Sequence, residues 1–111
     1  MIYIINFSFP TGSFIQRPQL DRLSEFCQRH DLAIGSDEVF ADYAFAGSAT
    51  RVPSLINTRE VLTFSLSGLS KVAGLPQMKL GWIAVSGPPD HQRAAIERLE
   101  SFLAEYPGAF V

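Results

Sequence analysis

Residues 61–76 read VLTFSLSGLSKVAGLP, and this stretch indicates the fold of the chain. Its first half is a short apolar run of strand length, and its second half places small residues around Lys71. The pattern predicts a buried strand that delivers a primary amine to the end of a sheet. Desolvation in such a pocket favours the neutral amine, which can attack a carbonyl group and form a Schiff base. Most lysines are solvent-exposed, so a chemical role for Lys71 depends on the rest of the chain.

Strand-like and helix-like segments alternate on both sides of this stretch. The apolar runs of strand length are residues 2–6, 32–36, 61–65 and 81–86. Helical spacing of apolar residues predicts two helices, one from about Arg17 to His30 and one from about Pro88 to Tyr106. Loops are expected at residues 41–60, with one short helical turn, and at residues 66–79 around Lys71.

The order strand, helix, strand predicts crossover connections and parallel pairing. Uninterrupted apolar strands indicate a sheet covered on both faces. The sequence therefore predicts an α/β fold, a three-layer segment with a mostly parallel sheet. Tyr3 and Trp82 lie in predicted strands and are expected in the core.

The composition narrows the classes of partner. The 111 residues are 47% hydrophobic and 18% charged, which is typical of one packed domain or part of one. A net charge of −2 favours neither nucleic acid nor an anionic membrane. No apolar run approaches the roughly 20 residues that span a bilayer, and the N-terminus does not resemble a signal peptide. The single cysteine, Cys27, suits a reducing cytoplasm and is expected to be a buried small hydrophobe.

Candidate functional residues follow the ends of the predicted strands. In parallel sheets ligands bind at the carboxyl ends of the strands, so residues 9–12, Asp37 and Lys71 are expected to converge on one edge. Asp37 has two interpretations, a turn-capping aspartate or a carboxylate that faces a ligand. Glu38 is expected to be a solvated or structural charge. No metal site is expected.

Three blocks of sequence resemble one family in order and spacing. They are Asn6–Gly12 (NFSFPTG), Ser36–Phe40 (SDEVF) and Ser70–Trp82 (SKVAGLPQMKLGW). The chain resembles the class I/II, fold-type I aminotransferases that use pyridoxal phosphate, in which these blocks read Asn-Pro-Thr-Gly, Asp-Glu-Val-Tyr and Ser-Lys followed by Gly-Leu-Pro-Gly and Arg-Leu-Gly. The resemblance covers nearly all 111 residues. It implies that residues 1–111 are the cofactor-binding core of the large domain, without its N-terminal part and without the C-terminal small domain.

The resemblance also implies roles for five residues. Lys71 would anchor the cofactor as a Schiff base and then act as general acid and base. Asp37 would keep the ring nitrogen protonated. Lys79 stands where the family has a phosphate-binding arginine, and it keeps the charge without the bidentate fork. Ser67 and Ser70 are candidate hydroxyl donors to the same phosphate.

Two departures fall on residues that contact the 3′-oxygen of the cofactor in the family. Phe9 replaces the asparagine before Pro-Thr-Gly, and Phe40 replaces the tyrosine of Asp-x-x-Tyr. Tyr43 is a candidate replacement donor, with a rim or core position as the alternative. Asn6 either reaches the ring or caps the turn. Phe9 is also what a divergent or degraded site would show.

The function implied by the resemblance is transamination between an amino acid and a 2-oxo acid in a full-length, homodimeric, cytoplasmic enzyme. The 111 residues alone are expected to be inactive, and the sequence does not indicate which amino acid is the substrate. Two alternatives stay open. One is a pyridoxal-phosphate-dependent lyase or decarboxylase on the same scaffold, and the other is a non-catalytic remnant or interaction fragment.

Overall fold

A computed structural model of the chain describes residues 1–6, 12–43 and 48–106. Within them lies one four-stranded sheet, whose strands stand side by side in chain order. The strands are β1 (Ile2–Ile5), β2 (Ile34–Asp37), β3 (Thr63–Gly68) and β4 (Gly81–Ser86). The helices are α1 (Arg17–Arg29), α2 (Leu69–Val72) and α3 (Pro89–Leu103), with a 3₁₀ turn at Ala41–Tyr43.

The sheet is mostly parallel, as the sequence predicts. β1 pairs with β2 in parallel, and β2 pairs with β3 in parallel, so that Asp37 lies between Ile5 and Leu66. β4 runs antiparallel to β3, with Gly81 opposite Gly68. The chain leaves β3, turns through α2 and returns along β4 from the same edge. The carboxyl ends of β1, β2 and β3 therefore share one edge with the start of β4.

α1 forms where the apolar spacing predicts it. Pro18 lies in its first turn, and the backbone N–H of Gln16 donates a 2.9 Å hydrogen bond to the side-chain oxygen of Gln19. Leu20 and Cys27 lie one above the other on its buried face, and Cys27 is 0% exposed. The expected buried position of Cys27 is confirmed.

The hydrophobic core lies between α1, one face of the sheet and the segment that precedes β3. Its buried members are Leu20, Cys27, Ile34, Val52, Leu55 and Val61. Ile2 and Ile4 pack against this cluster from β1. Because side chains alternate along a strand, Tyr3 and Ile5 point to the opposite face.

Among the described residues, α3 packs next to β4, and α3 contains no buried residue. Tyr3 is 56% exposed and Trp82 is 44% exposed, so the prediction that both are core residues is wrong. Tyr3 lies on the face away from α1, and Trp82 lies on β4, an edge strand of the described sheet.

The region around Lys71 differs from the expected loop at residues 66–79. β3 extends to Gly68, because Ser65, Leu66 and Ser67 continue the antiparallel ladder with β4. Lys71 then lies on the single turn of α2. Among the described residues, no helix is long and apolar enough to cross a bilayer.

Candidate functional site

The edge at the carboxyl ends of the strands is built first on Asn6, which follows β1 and is 1% exposed. Its side-chain NH₂ group donates a 3.0 Å hydrogen bond to the carbonyl of Val52. Its side-chain oxygen accepts a 3.1 Å bond from the backbone N–H of Ile15. Both ends of the amide are thus engaged in joining the turn after β1 to the start of α1 and the segment before β3. Of the two interpretations of Asn6, the structure supports the turn-capping one.

Asp37 is the last residue of β2, and its contacts support the turn-capping interpretation while its ligand-facing role stays a prediction. One carboxylate oxygen accepts a 3.1 Å hydrogen bond from the backbone N–H of Val39, two residues on, as turn aspartates do. The other oxygen accepts a 3.2 Å bond from the hydroxyl of Tyr3. The half-buried side chain also lines a cleft of about 760 Å³. A capped, oriented carboxylate therefore faces open space at the end of the strand.

The cleft contains charged groups of both signs between apolar walls. Lys79 and Ser67 line it together with Asp37, and its apolar walls come from β3, β4 and α3. The exposed ammonium of Lys79 donates a 3.1 Å hydrogen bond to the carbonyl of Pro76. The cleft thus combines a carboxylate, a cation, a hydroxyl and apolar walls, which suit a ligand with an anionic group, a protonated ring nitrogen and an apolar ring. This donor set fits pyridoxal phosphate.

Lys71 is exposed, and so is every residue from 71 to 80. Its ammonium lies 5.6 Å from the centroid of the Phe40 ring. The expectation of a buried pocket around this amine is therefore wrong for the described residues, because they leave the Lys71 side chain exposed. Lys71 is also not among the side chains that line the Asp37 cleft. Its chemical role stays a prediction.

Tyr43 is connected to the lysine through the backbone. Its hydroxyl donates a 2.6 Å hydrogen bond to the carbonyl oxygen of Lys71, and its ring meets that of Phe40 edge-on at 5.9 Å. The hydroxyl proposed as a replacement donor is thus engaged with the backbone of α2. Ser70, beside Lys71 on α2, is half-buried. Phe9 lies outside the described residues.

Glu38 is buried, with 8% of its surface exposed, and its role is structural rather than solvated. Its carboxylate accepts hydrogen bonds from the hydroxyls of Ser36 (3.0 Å) and Ser54 (2.6 Å). It also accepts a 2.8 Å bond from the backbone N–H of Leu55. Glu38 therefore fixes the segment before β3 to the end of β2. Neighbouring carboxylates thus point to opposite sides, Asp37 to the cleft and Glu38 to the interior.

Tyr3 is the site residue that sequence reasoning missed. Partial desolvation raises the pKa of its phenol above the ordinary value, and the negative charge and hydrogen bond of Asp37 raise it further. Parallel pairing of neighbouring strands predicts that some residue of β1 lies near Asp37, but the register that selects Tyr3 is visible only in the structure. Among the described residues, no group of three His, Cys, Asp or Glu side chains is arranged to hold a metal ion.

Comparison with known proteins relates the chain to one family. The family model for "Aminotransferase class I and II" matches residues 1–107. The glutamate-pyruvate aminotransferase AlaA of Escherichia coli K12 is 31% identical over 99 residues, which are 89% of this chain and 24% of that protein. An alanine aminotransferase of Mycobacterium tuberculosis is 26% identical over 86% of this chain and 22% of its own length. The chain thus spans about a quarter of the length of these relatives.

Solved structures give the same result for the fold. The crystal structure of an aminotransferase from Escherichia coli matches with a TM-score of 0.78 and 28% identity, over 94% of this chain and 26% of that one. The alanine aminotransferase of Pyrococcus furiosus matches with a TM-score of 0.69 and 26% identity, over 91% of this chain and 26% of its own. A pyridoxal-phosphate-bound aminotransferase from Clostridium difficile, at 17% identity and a TM-score of 0.59, shares the fold.

Proposed function

We propose, from the premise that this chain belongs to the class I and II aminotransferase family, that the full-length protein transfers an amino group between an amino acid and a 2-oxo acid. Pyridoxal 5′-phosphate would be its cofactor. The observation that carries the proposal is the cleft at the strand ends, which Asp37 and Lys79 both line. The names of the relatives make glutamate and pyruvate the first substrate pair to assay.

The cleft residues would hold the cofactor by its two charged ends. When bound, pyridoxal phosphate supplies the electron sink that makes the Cα proton of an amino acid acidic. The Asp37 carboxylate would face the ring nitrogen and keep it protonated. Lys79 would attract the phosphate as a point charge, and the hydroxyls of Ser67 and Ser70 would donate hydrogen bonds to it.

Lys71 would supply the nucleophile and the proton carrier. Its amine would anchor the cofactor covalently and, once displaced by the substrate amine, would take the proton from Cα of the substrate and return it to the C4′ carbon of the cofactor. Phe40 would restrict the positions that the Lys71 amine can occupy, because its ring is within cation–π distance of Nζ. Tyr43 would hold the backbone of α2 through its bond to the Lys71 carbonyl.

Catalysis needs Lys71 to be shielded from water, and we propose that other parts of the full-length protein and a second copy provide that cover. Exposed apolar side chains around α2 support this arrangement. They are Val72, Leu75, Met78 and Leu80. A cytoplasmic homodimer is therefore the expected state, and the single buried cysteine suits that compartment.

The experiment that tests the function is a transamination assay combined with covalent trapping. The full-length protein with pyridoxal phosphate should convert glutamate and pyruvate to 2-oxoglutarate and alanine. Borohydride reduction should fix the cofactor on the peptide that contains Lys71. Lys71→Ala should abolish both signals, whereas Lys79→Ala should weaken retention of the cofactor and leave the label on Lys71. A label on another lysine would overturn the assignment of Lys71.

The exposure of Lys71 is the observation that favours a non-catalytic remnant. In that case the full-length protein would give no label and no product with any amino acid and 2-oxo acid pair. A lyase on the same scaffold would give the label on Lys71 and release ammonia and a 2-oxo acid without an amino acceptor. Trapping, the transamination assay and an assay of released ammonia together separate the three functions.

A further inference from the structure

Tyr3 and Asp37 are brought together by the register of two parallel strands. Tyr3 lies directly opposite Gly35, two residues before Asp37 on β2. Residues i and i+2 of a strand share a face, so Tyr3, Gly35 and Asp37 all face away from α1. A Cβ atom at Gly35 would stand 2.9 Å from Cδ2 of the Tyr3 ring. The absence of a side chain at Gly35 therefore leaves the space in which the ring lies.

From this position the Tyr3 hydroxyl donates its 3.2 Å hydrogen bond to one oxygen of Asp37, while the N–H of Val39 donates to the other. Each carboxylate oxygen has a fixed donor and keeps lone-pair capacity for a ligand. We infer that Tyr3 is a positioning residue for Asp37, with Gly35 as the space that lets the phenol reach the carboxylate. The inference rests on the proposed function, in which Asp37 contacts the cofactor ring.

A purely structural role explains Tyr3 less well. More than half of its surface is exposed, so the side chain contributes little to the hydrophobic core. Its neighbours on this face are the exposed Met1 and Ile5 and the small Gly35. Its hydroxyl bonds to Asp37, which is the one carboxylate that lines the cleft in the part of the chain that the structure describes.

The first test removes the hydroxyl and keeps the ring. In the full-length protein, Tyr3→Phe should lower kcat about tenfold, the scale expected for losing one hydrogen bond to a charged group. KM for the amino acid and the thermal midpoint should stay close to the parent values. Tyr106→Phe, at an exposed tyrosine beyond α3, is the matched control and should leave kcat unchanged.

The second test uses Gly35. Gly35→Ala pushes a methyl group against the Tyr3 ring and should lower kcat to the same extent as Tyr3→Phe. The double variant Tyr3→Phe/Gly35→Ala should be no worse than either single variant, because both remove one contact. Losses that multiply in the double variant would overturn the inference, and so would parent-like kcat in Tyr3→Phe.

A third measurement does not need the cofactor. The ultraviolet difference between parent and Tyr3→Phe isolates the ionisation of the Tyr3 phenol in the apoprotein. That phenol should titrate above the ordinary tyrosine pKa, and Asp37→Asn should move its pKa downward. An unmoved pKa would overturn the pairing. A full-length protein without transaminase activity would defeat the proposed function, and this titration would still decide the Tyr3–Asp37 pairing.

Discussion

The hydroxyl of Tyr43 donates a 2.6 Å hydrogen bond to the backbone carbonyl of Lys71, 28 residues further along the chain. α2 is a single turn of four residues, and so short a helix is not stable by itself. The bond from Tyr43 therefore ties the turn that carries Lys71 to the 3₁₀ turn after β2. A second tie comes from the N–H of Leu69, which donates a 2.8 Å bond to the carbonyl of Leu80. Lys71 is exposed, yet its backbone is held from two sides.

The first prediction concerns this bond. Tyr43→Phe removes the hydroxyl and should lower the free energy of unfolding by about 0.5–1.5 kcal/mol, the usual value of one neutral hydrogen bond. Because the turn that carries Lys71 loses a fixed point, kcat of the full-length protein in the proposed transamination should fall more than KM changes. Steady-state kinetics beside a thermal melt measure both effects. Tyr106→Phe is the control, and equal kinetics of the two variants would contradict the positioning role of Tyr43.

The second prediction concerns Glu38. Glu38→Ala leaves the hydroxyls of Ser36 and Ser54 and the N–H of Leu55 without their acceptor. Unpaired buried donors cost about 1–3 kcal/mol each, so the variant should lose about 3 kcal/mol or more of unfolding free energy. The exposed Glu25 on α1 is the matched control, and Glu25→Ala should stay within about 0.5 kcal/mol. Chemical denaturation of the full-length protein compares them, and similar values would show that Glu38 does not hold this segment.

The third prediction compares two glycines with positive φ. Gly87, after β4, has φ 123°, and a Cβ atom there would stand 2.6 Å from the carbonyl oxygen of Val61 and 2.8 Å from the Cα atom of Leu62. Gly74 has φ 62°, and a Cβ atom there would meet nothing within 4 Å. Gly87→Ala should therefore cost about 3 kcal/mol or more, because strain and a backbone clash add.

Gly74→Ala should cost only about 1–2 kcal/mol, because the left-handed backbone strain is its sole penalty. The difference in thermal midpoint between the two variants is the measurement. A Gly87→Ala variant as stable as Gly74→Ala would show that the turn between β4 and α3 moves away from β3 at little cost.

Much of this fold follows from the sequence, because the strands and the two long helices carry clear apolar periodicity. The end of β3 cannot be read from the sequence in this way, because residues 65–68 pair through backbone hydrogen bonds, which leave no apolar pattern. The antiparallel direction of β4 depends on how the chain turns after α2, and no local pattern encodes that turn.

The candidate site divides in the same way. The position of Asp37 at a strand end is predictable, because a charged residue directly after an apolar run can be read from the sequence. The hydrogen bond from the Tyr3 hydroxyl to Asp37 depends on the exact register of β1 against β2, which the sequence does not state. The exposure of Lys71 was not predictable either, because burial at the strand ends depends on chain segments far from residues 61–76.

The fourth prediction concerns Asp37 in the full-length enzyme. Asp37→Asn keeps the shape of the side chain but removes the negative charge that, under the proposed function, would face the cofactor ring nitrogen. Turnover should fall about 100-fold or more, the scale of losing a preorganised electrostatic contact. Asp42→Asn, at an exposed aspartate on the neighbouring 3₁₀ turn, should leave turnover unchanged. An Asp37→Asn variant within about threefold of the parent, under ~0.7 kcal/mol, would show that Asp37 only caps its turn.

The last prediction concerns the 111-residue chain alone. One face of β1 and β2 carries the exposed side chains of Tyr3 and Ile5, and β4 exposes Trp82 at 44% and Ile83 at 42%. Exposed apolar surface and sheet edges drive association, so the isolated chain should form oligomers or remain partly ordered. Its mass in sedimentation should rise with concentration, and Trp82→Gln with Ile83→Thr should reduce that rise. Arg59→Gln, at an exposed residue outside the sheet, is the control and should leave the rise in mass unchanged. A monomer that melts sharply at one temperature across a hundredfold range of concentration would contradict the prediction, because the exposed strands would then need no partner.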